Sequence, residues 1–174
     1  MQHLMIDLET LDVTPTSTIL TIGAQGFDPF SDHFTEDTFY VRVDLDSQEN
    51  RTINESTIKW WSKQDSAVRE EAFSDEDRIP LKDALEQLSK IAFKYDKIWA
   101  NGILFDIAIL ENAMYQTGVH IPWKYFQVMD ARTIYQMFPG KNNLGNSHNA
   151  LEDCVNQIIL LQKIFKENGI TSFQ

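Results

Sequence analysis

Apolar and polar positions follow different periods in different parts of the chain, and each period predicts an element. Residues 4–8, 18–27 and 38–43 are rich in β-branched and aromatic side chains and are punctuated by turn-forming pairs such as Asp28-Pro29 and Ser31-Asp32. They read as strands. In the first, the two-residue period of a strand puts Ile6 and Leu8 on one face and Asp7 and Glu9 on the other. A helical region follows. Residues 54–64 carry the pair Trp60-Trp61, and 66–73 add another turn or two. Residues 80–95 place Leu81, Leu85, Leu88, Ala92 and Tyr95 at steps of three or four, an amphipathic helix with Pro80 suited to its first turn. Residues 97–100 read as a short strand ending at Asn101-Gly102, and 103–116 as a helix closed by Gly118. Residues 130–138 read as a helix with Asp130 as N-cap, 139–147 as a polar loop containing Gly140 and Gly145, and 149–167 as a long final helix stopped by Asn168-Gly169. Three successive strands predict an antiparallel meander, and a further strand reached through helices predicts a mixed α/β sheet.

A length of 174 residues suits one domain over 1–174, and 43% apolar content is enough for a core and against disorder. No run approaches the ~20 apolar residues of a membrane span. The first residues lack a basic segment followed by an apolar run, so no signal peptide is expected. Cys154 is the single cysteine, which excludes an internal disulfide and, with no Cys/His cluster, argues against zinc. A reduced, cytoplasmic setting fits. Fifteen Lys and Arg against 26 Asp and Glu give a formal charge of −11. That balance argues against a binder that grips nucleic acid or a membrane through a basic stripe. It favours a solvated acidic surface, or carboxylates gathered around metal.

Four carboxylates stand out. Asp7 and Glu9 share a face of an apolar strand, where mutual repulsion and burial are both costly and a divalent cation would relieve both. An exposed acidic edge strand is the alternative. Asp106 follows Asn101-Gly102-Ile103-Leu104-Phe105, after a strand and at the start of a helix; there it serves a site or complements the helix dipole. Asp153 follows His148-Asn149-Ala150-Leu151-Glu152. Five helical residues turn through roughly 140°, so His148 and Asp153 cannot share a helix face. The pair serves one site if His148 lies on the preceding loop and reaches over what Asp153 lines; a solvated histidine and a surface acid on a polar helix start are the alternative.

Taken in order, D-x-E on the first strand, N-G-x-x-F-D after a later strand and H-x-A-x-x-D in the last helix resemble the DEDD exonucleases of the ribonuclease H-like fold, in the histidine-bearing DnaQ-like form. The segments Ile58-Lys59-Trp60-Trp61-Ser62-Lys63-Gln64 and Asp130-Ala131-Arg132-Thr133 are similar to the subgroup that contains the phage exonuclease DexA and a mycobacterial exoribonuclease. One departure is that Gly102 stands where many relatives have Asn, with Asn101 one position earlier. The resemblance implies a mixed β-sheet flanked by helices and a 3′→5′ exonuclease releasing nucleoside 5′-monophosphates. It implies Asp7, Glu9, Asp106 and Asp153 as ligands of two divalent cations, Mg²⁺ or Mn²⁺, with Asp7 bridging both, and His148 as general base. An unperturbed imidazole, with a pKa near ~6.5, suits that task.

Substrate contacts implied or suggested are Thr10 and Leu11 at the terminal sugar, Asn101, and Phe105 stacked on the last base or packed in the core. Trp60 and Trp61 lie about 100° apart on a helix, so one packs inward and the other faces the cleft or a partner. Arg132 meets phosphate or a surface acid. Cys154 reads as a buried helix residue without a catalytic role. The substrate is expected to be a single-stranded 3′ end, with DNA slightly favoured over RNA, and the resemblance alone implies a homodimer. A non-catalytic ribonuclease H-like binding module would have lost a motif carboxylate, and none is missing. A metal-buffering acidic domain would not require His148. Two bound cations would bring the formal charge to about −7, so the acidity does not exclude nucleic acid as substrate.

Overall fold

The computed structural model describes residues 2–138 and 147–173. Six strands form one sheet: β1 (His3–Thr10), β2 (Ile19–Phe27), β3 (Phe34–Val43), β4 (Arg78–Ile79), β5 (Lys97–Ala100) and β6 (Val128–Asp130), in the spatial order β4-β3-β2-β1-β5-β6. β1 pairs antiparallel with β2 and β2 with β3, the expected meander, while β5 joins β1 in parallel and β6 joins β5 in parallel. β1 is therefore central, and the edge-strand alternative for Asp7 and Glu9 is excluded.

The helices are α1 (Glu55–Trp61), α2 (Ser66–Phe73), α3 (Leu81–Ala92), α4 (Asp106–Thr117), α5 (Ala131–Met137) and α6 (Ala150–Glu167). Side chains of α3 and α4 pack on the Leu4, Ile6 and Leu8 face of β1. Those of α5 and α6 pack on the opposite face with Met5 and Trp99. The sheet is thus covered on both sides, as a parallel region requires. Leu11, Leu20, Trp61 and Ala72 form a third, smaller cluster beneath α1 and α2. Among the described residues no helix is long and apolar enough to cross a membrane.

Several boundaries differ from those expected. The helix placed at 103–116 begins at Asp106, because Gly102 takes a φ of 119° and the chain turns once more before the helix can start. Gly118, at φ 70°, closes it as expected. Pro80 sits at the N-cap of α3 in an extended conformation, outside the first turn. β3 reaches back to Phe34, four residues before the expected start. β4 and β6 went unforeseen because two or three residues carry no period to read. Asp130 occupies the N-cap of α5, but its carboxylate accepts the Thr133 hydroxyl at 2.6 Å instead of a backbone amide. Of the expected loop at 139–147, all but Ser147 lies outside the described residues.

Candidate active site

Where β1 and β5 part, the sheet opens. Their pairing covers only His3–Met5 against Lys97–Trp99. Past that point the amide of Leu8 has no strand partner and donates to Asp106 Oδ1 at 3.1 Å. A carboxylate from the start of α4 thereby completes the ladder of the central strand, at the crevice where strand direction changes in α/β sheets. A register shift between Glu9 and Thr10 interrupts the pairing of β1 with β2 just before its last pair, Thr10 with Ile19. Such bulges re-aim side chains at the margins of sites.

The first turn of α6 delivers Asp153. Asn149 caps the helix by accepting the amides of Leu151 and Glu152, both at 3.1 Å. Asp153 Oδ1 accepts the Ser147 amide at 2.8 Å and hydroxyl at 3.0 Å, and Oδ2 accepts the His148 amide at 3.1 Å. These bonds hold His148 at φ 53°, a left-handed conformation for a residue with a side chain. They place its ring before the helix, over the site, as the spacing requires. Ligand-type atoms of Glu9, His148 and Asp153 lie within 4.8 Å of one another. The His148 ring stands edge-to-face with Trp60, centroids 4.9 Å apart at 88°, and 6.4 Å from the ring of Trp61.

Charge is concentrated without relief. Burial, reinforced by Asp106 and Glu9, pushes the Asp7 carboxyl well above the ordinary carboxylate range. Burial, then Asp153 and Asp106, raises Glu9 to about 8. Burial raises Asp106 to about 7 against the opposing pull of the Leu8 amide. Asp7 accepts Gln157 Nε2 at 2.8 Å. Among the described residues no donor reaches the carboxylate of Glu9. Four mutually repelling hard oxygen donors on β1, α4 and α6, with Glu9 lacking any hydrogen-bond donor among the described residues, fit a divalent cation of the Mg²⁺ or Mn²⁺ kind.

Beside the acids lies a cleft of about 440 Å³ lined by Leu8, Glu9, Thr10, Asp12, Val13, Ser56, Thr57, Trp60, Trp61 and Phe105. A larger hollow of about 800 Å³ between α1 and α2 contains none of the four acids and meets the cleft only at Trp61. The tryptophan pair divides as its spacing demands. Trp61 is 2% exposed and donates its indole N–H to the Thr10 carbonyl at 2.9 Å, whereas Trp60 is 41% exposed. Phe105 both packs against the core and lines the cleft. Thr10 is in the cleft, but its hydroxyl is held by the Asp12 carbonyl at 2.7 Å.

Leu11 is a correction. Its side chain is buried with Leu20 and Trp61, its amide donates to Thr18 and its carbonyl accepts Asn54, so nothing of it is left for substrate. The reason is a tight loop pinned by Asp12, whose carboxylate takes the Thr52 hydroxyl at 2.6 Å and the Val13 amide at 2.7 Å. That loop exposes Val13 at the cleft in place of Leu11. Asn101 and Arg132 do not line the cleft: Arg132 Nη2 donates to the Asn101 carbonyl at 2.9 Å, and its charge acts on Asp106. Cys154 is fully buried against the Met5 and Gly23 carbonyls, and burial pushes its thiol up. Several site neighbours escaped sequence reasoning, Val13 and Gln157 among them. Val13 had no signal. Gln157 had one, since it lies four residues after Asp153 on the same helical face.

A profile described as the 3′-5′ exoribonuclease Rv2179c-like domain matches residues 2–165. The chain belongs to this family. Its fold recurs in solved nucleases. The nuclease domain of 3′hExo, a DEDDh family member bound to rAMP, gives a TM-score of 0.69 at 13% identity, covering 99% of this chain and 96% of that one. S. pombe Pop2p in its Mg²⁺- and Mn²⁺-bound form gives 0.65 at 15%, covering 99% and 86%. Cell-death related nuclease 4 gives 0.65 at 16%, with 95% of this chain spanning 64% of that longer one. No curated protein matches significantly. At these identities the neighbours establish the ribonuclease H-like fold of the Rv2179c-like domain, and the profile establishes its place among 3′-5′ exonucleases.

Proposed function

We propose that this Rv2179c-like domain shortens single-stranded RNA from the 3′ end, releasing nucleoside 5′-monophosphates in a reaction that requires Mg²⁺ or Mn²⁺. The observation that carries the reading is that Asp7, Glu9, Asp106 and Asp153 lie close enough to repel one another, with His148 beside Glu9 and Asp153 and the cleft opening at Glu9. The sequence leaned slightly toward DNA. The description of the family moves the preference to RNA.

Asp7, Glu9, Asp106 and Asp153 would hold the cations, two in number by the resemblance stated above. When bound, such cations neutralise the scissile phosphate and stabilise the charge that develops on the attacking and leaving oxygens. The protein's own groups do the rest. His148, fixed by its backbone bond to Asp153 and by the ring of Trp60, accepts the proton of the attacking water. The cleft takes the terminal nucleotide, with Thr10 and Val13 along one wall and Phe105 and Trp60 offering aromatic surface for stacking. Arg132 keeps part of its guanidinium exposed and uncommitted, available to a phosphate behind the Asn101-Gly102 turn.

Matched RNA and DNA oligonucleotides labelled at either end test the proposal. The expected result is mononucleotide release from 3′-hydroxyl ends with Mn²⁺ and faster loss of RNA. Asp7→Ala should reduce the rate by more than about 100-fold, the upper range for groups outside the ligand sphere, while the protein stays folded. Full activity of Asp7→Ala, or of the wild type in excess chelator, would overturn the mechanism.

A further inference from the structure

Each acid of the site is anchored differently. Asp106 is held by the backbone of β1, and Asp153 by the backbone and hydroxyl of Ser147 and the amide of His148. Glu9 has no donor among the described residues. Asp7 has one, the side-chain amide of Gln157. Gln157 is 5% exposed, and its Oε1 is buried without a partner. An orphaned buried carbonyl is destabilising. The amide nevertheless presents its N–H to Asp7, because the reverse orientation would set two oxygens against each other. Its main chain is fixed as well, since Tyr135 donates its hydroxyl to the Gln157 carbonyl at 2.8 Å. The third turn of α6 is thereby tied to α5, and the amide is held against the central strand.

We infer that Gln157 is a positioning residue for the cation site, fixing the orientation of the Asp7 carboxylate through its side-chain amide. The inference rests on the metal-site reading above. Outer groups of this kind set ligand orientation, and their loss typically weakens metal binding by about 10–100-fold. An amide is the appropriate group at this point. It donates without adding a charge of either sign, where a lysine would compete with the cation and another carboxylate would add to the repulsion.

Calorimetric titration of the full chain with Mn²⁺ alone, in the absence of RNA, tests this. Gln157→Met keeps the volume and removes both the donor and the orphaned acceptor. Gln157→Asn keeps the amide but withdraws it by one methylene. Both are expected to bind Mn²⁺ about 10–100-fold more weakly, and excess Mn²⁺ should recover the activity lost at low Mn²⁺. The cation-free melting temperature of Gln157→Met should stay near that of the wild type, because the departure of the unpartnered carbonyl offsets the donor that Asp7 loses. Unchanged Mn²⁺ affinity in both variants, with or without a lowered melting temperature, would show an ordinary packing residue and overturn the inference alone. A wild-type protein that takes up no Mn²⁺ would overturn the metal-site reading and this inference together.

Discussion

Glu9 and Asp106 make the site a source of instability when no cation is present. Burial raises Glu9 from its ordinary 4.5 to about 8 and Asp106 from 3.8 to about 7. The folded chain therefore holds protons that the unfolded chain has already released. Stability is full below the unfolded values near 4 and is withdrawn as pH rises through the folded values. Each tenfold difference in proton affinity corresponds to about 1.4 kcal/mol. Thermal melts of cation-free protein should fall in midpoint between pH 5 and pH 8.5, and Mn²⁺ should raise the midpoint more at pH 8 than at pH 6. An equal gain at both would count against the assignment. His148 is separated from the acids by a different measurement. His148→Ala should lower kcat by about 10²–10⁴-fold, the usual contribution of a general base, with Mn²⁺ affinity retained; a parallel loss of Mn²⁺ binding would make it a ligand instead. At this scale the sequence was informative for groups whose placement is costly. The like charges of Asp7 and Glu9 on an apolar strand announce a cation, whereas Leu11 and Val13 exchange places through a loop whose hydrogen bonds no local pattern encodes.

Among the elements, α6 and β2 meet more closely than any side chain would allow. A methyl group on Gly23 would stand 2.3 Å from the Ala150 carbonyl carbon and 2.5 Å from the Leu151 nitrogen, both backbone atoms. The first turn of α6, which carries Asp153 and follows His148, therefore rests directly on the strand next to β1. Gly23→Ala should push that turn outward. Overpacking of this kind typically destabilises by about 1–3 kcal/mol, measurable by urea unfolding. The activity loss should exceed what the unfolded fraction explains, since both His148 and Asp153 move. A glycine inside a strand pattern does hint at close backbone approach, but only the assembled sheet shows which element approaches. The same limit explains the rest of the comparison. The strand alternation at Asp7 and the helical steps from Leu81 to Ala92 are local and were readable. The three residues of β6 and the delayed start of α4 after Gly102 depend on where β5 ends, which no window of sequence contains.

Across the whole molecule the formal charge of −11 sets how substrate is held. If cations in the site supply the positive charge, basic side chains displace few counterions from the RNA on binding. Raising salt from about 50 to 200 mM should change KM for a short RNA far less than the 10³–10⁵-fold loss seen when 6–10 phosphates are contacted, and steady-state assays at fixed Mn²⁺ measure this. The order β4-β3-β2-β1-β5-β6 has a consequence in time as well as space. β1 lies at the centre of the sheet, yet its neighbour β5 is made only after residue 96 and its covering helix α6 only after residue 149. The bond between Asp7 and Gln157 spans 150 residues. At about 5–20 residues per second of synthesis, on the order of ten to thirty seconds separate the two on the ribosome. Until α6 emerges, Asp7 lacks its Gln157 donor and Asp153 is missing from the site. On the proposed mechanism a nascent chain is therefore silent until α6 has packed on the central strand.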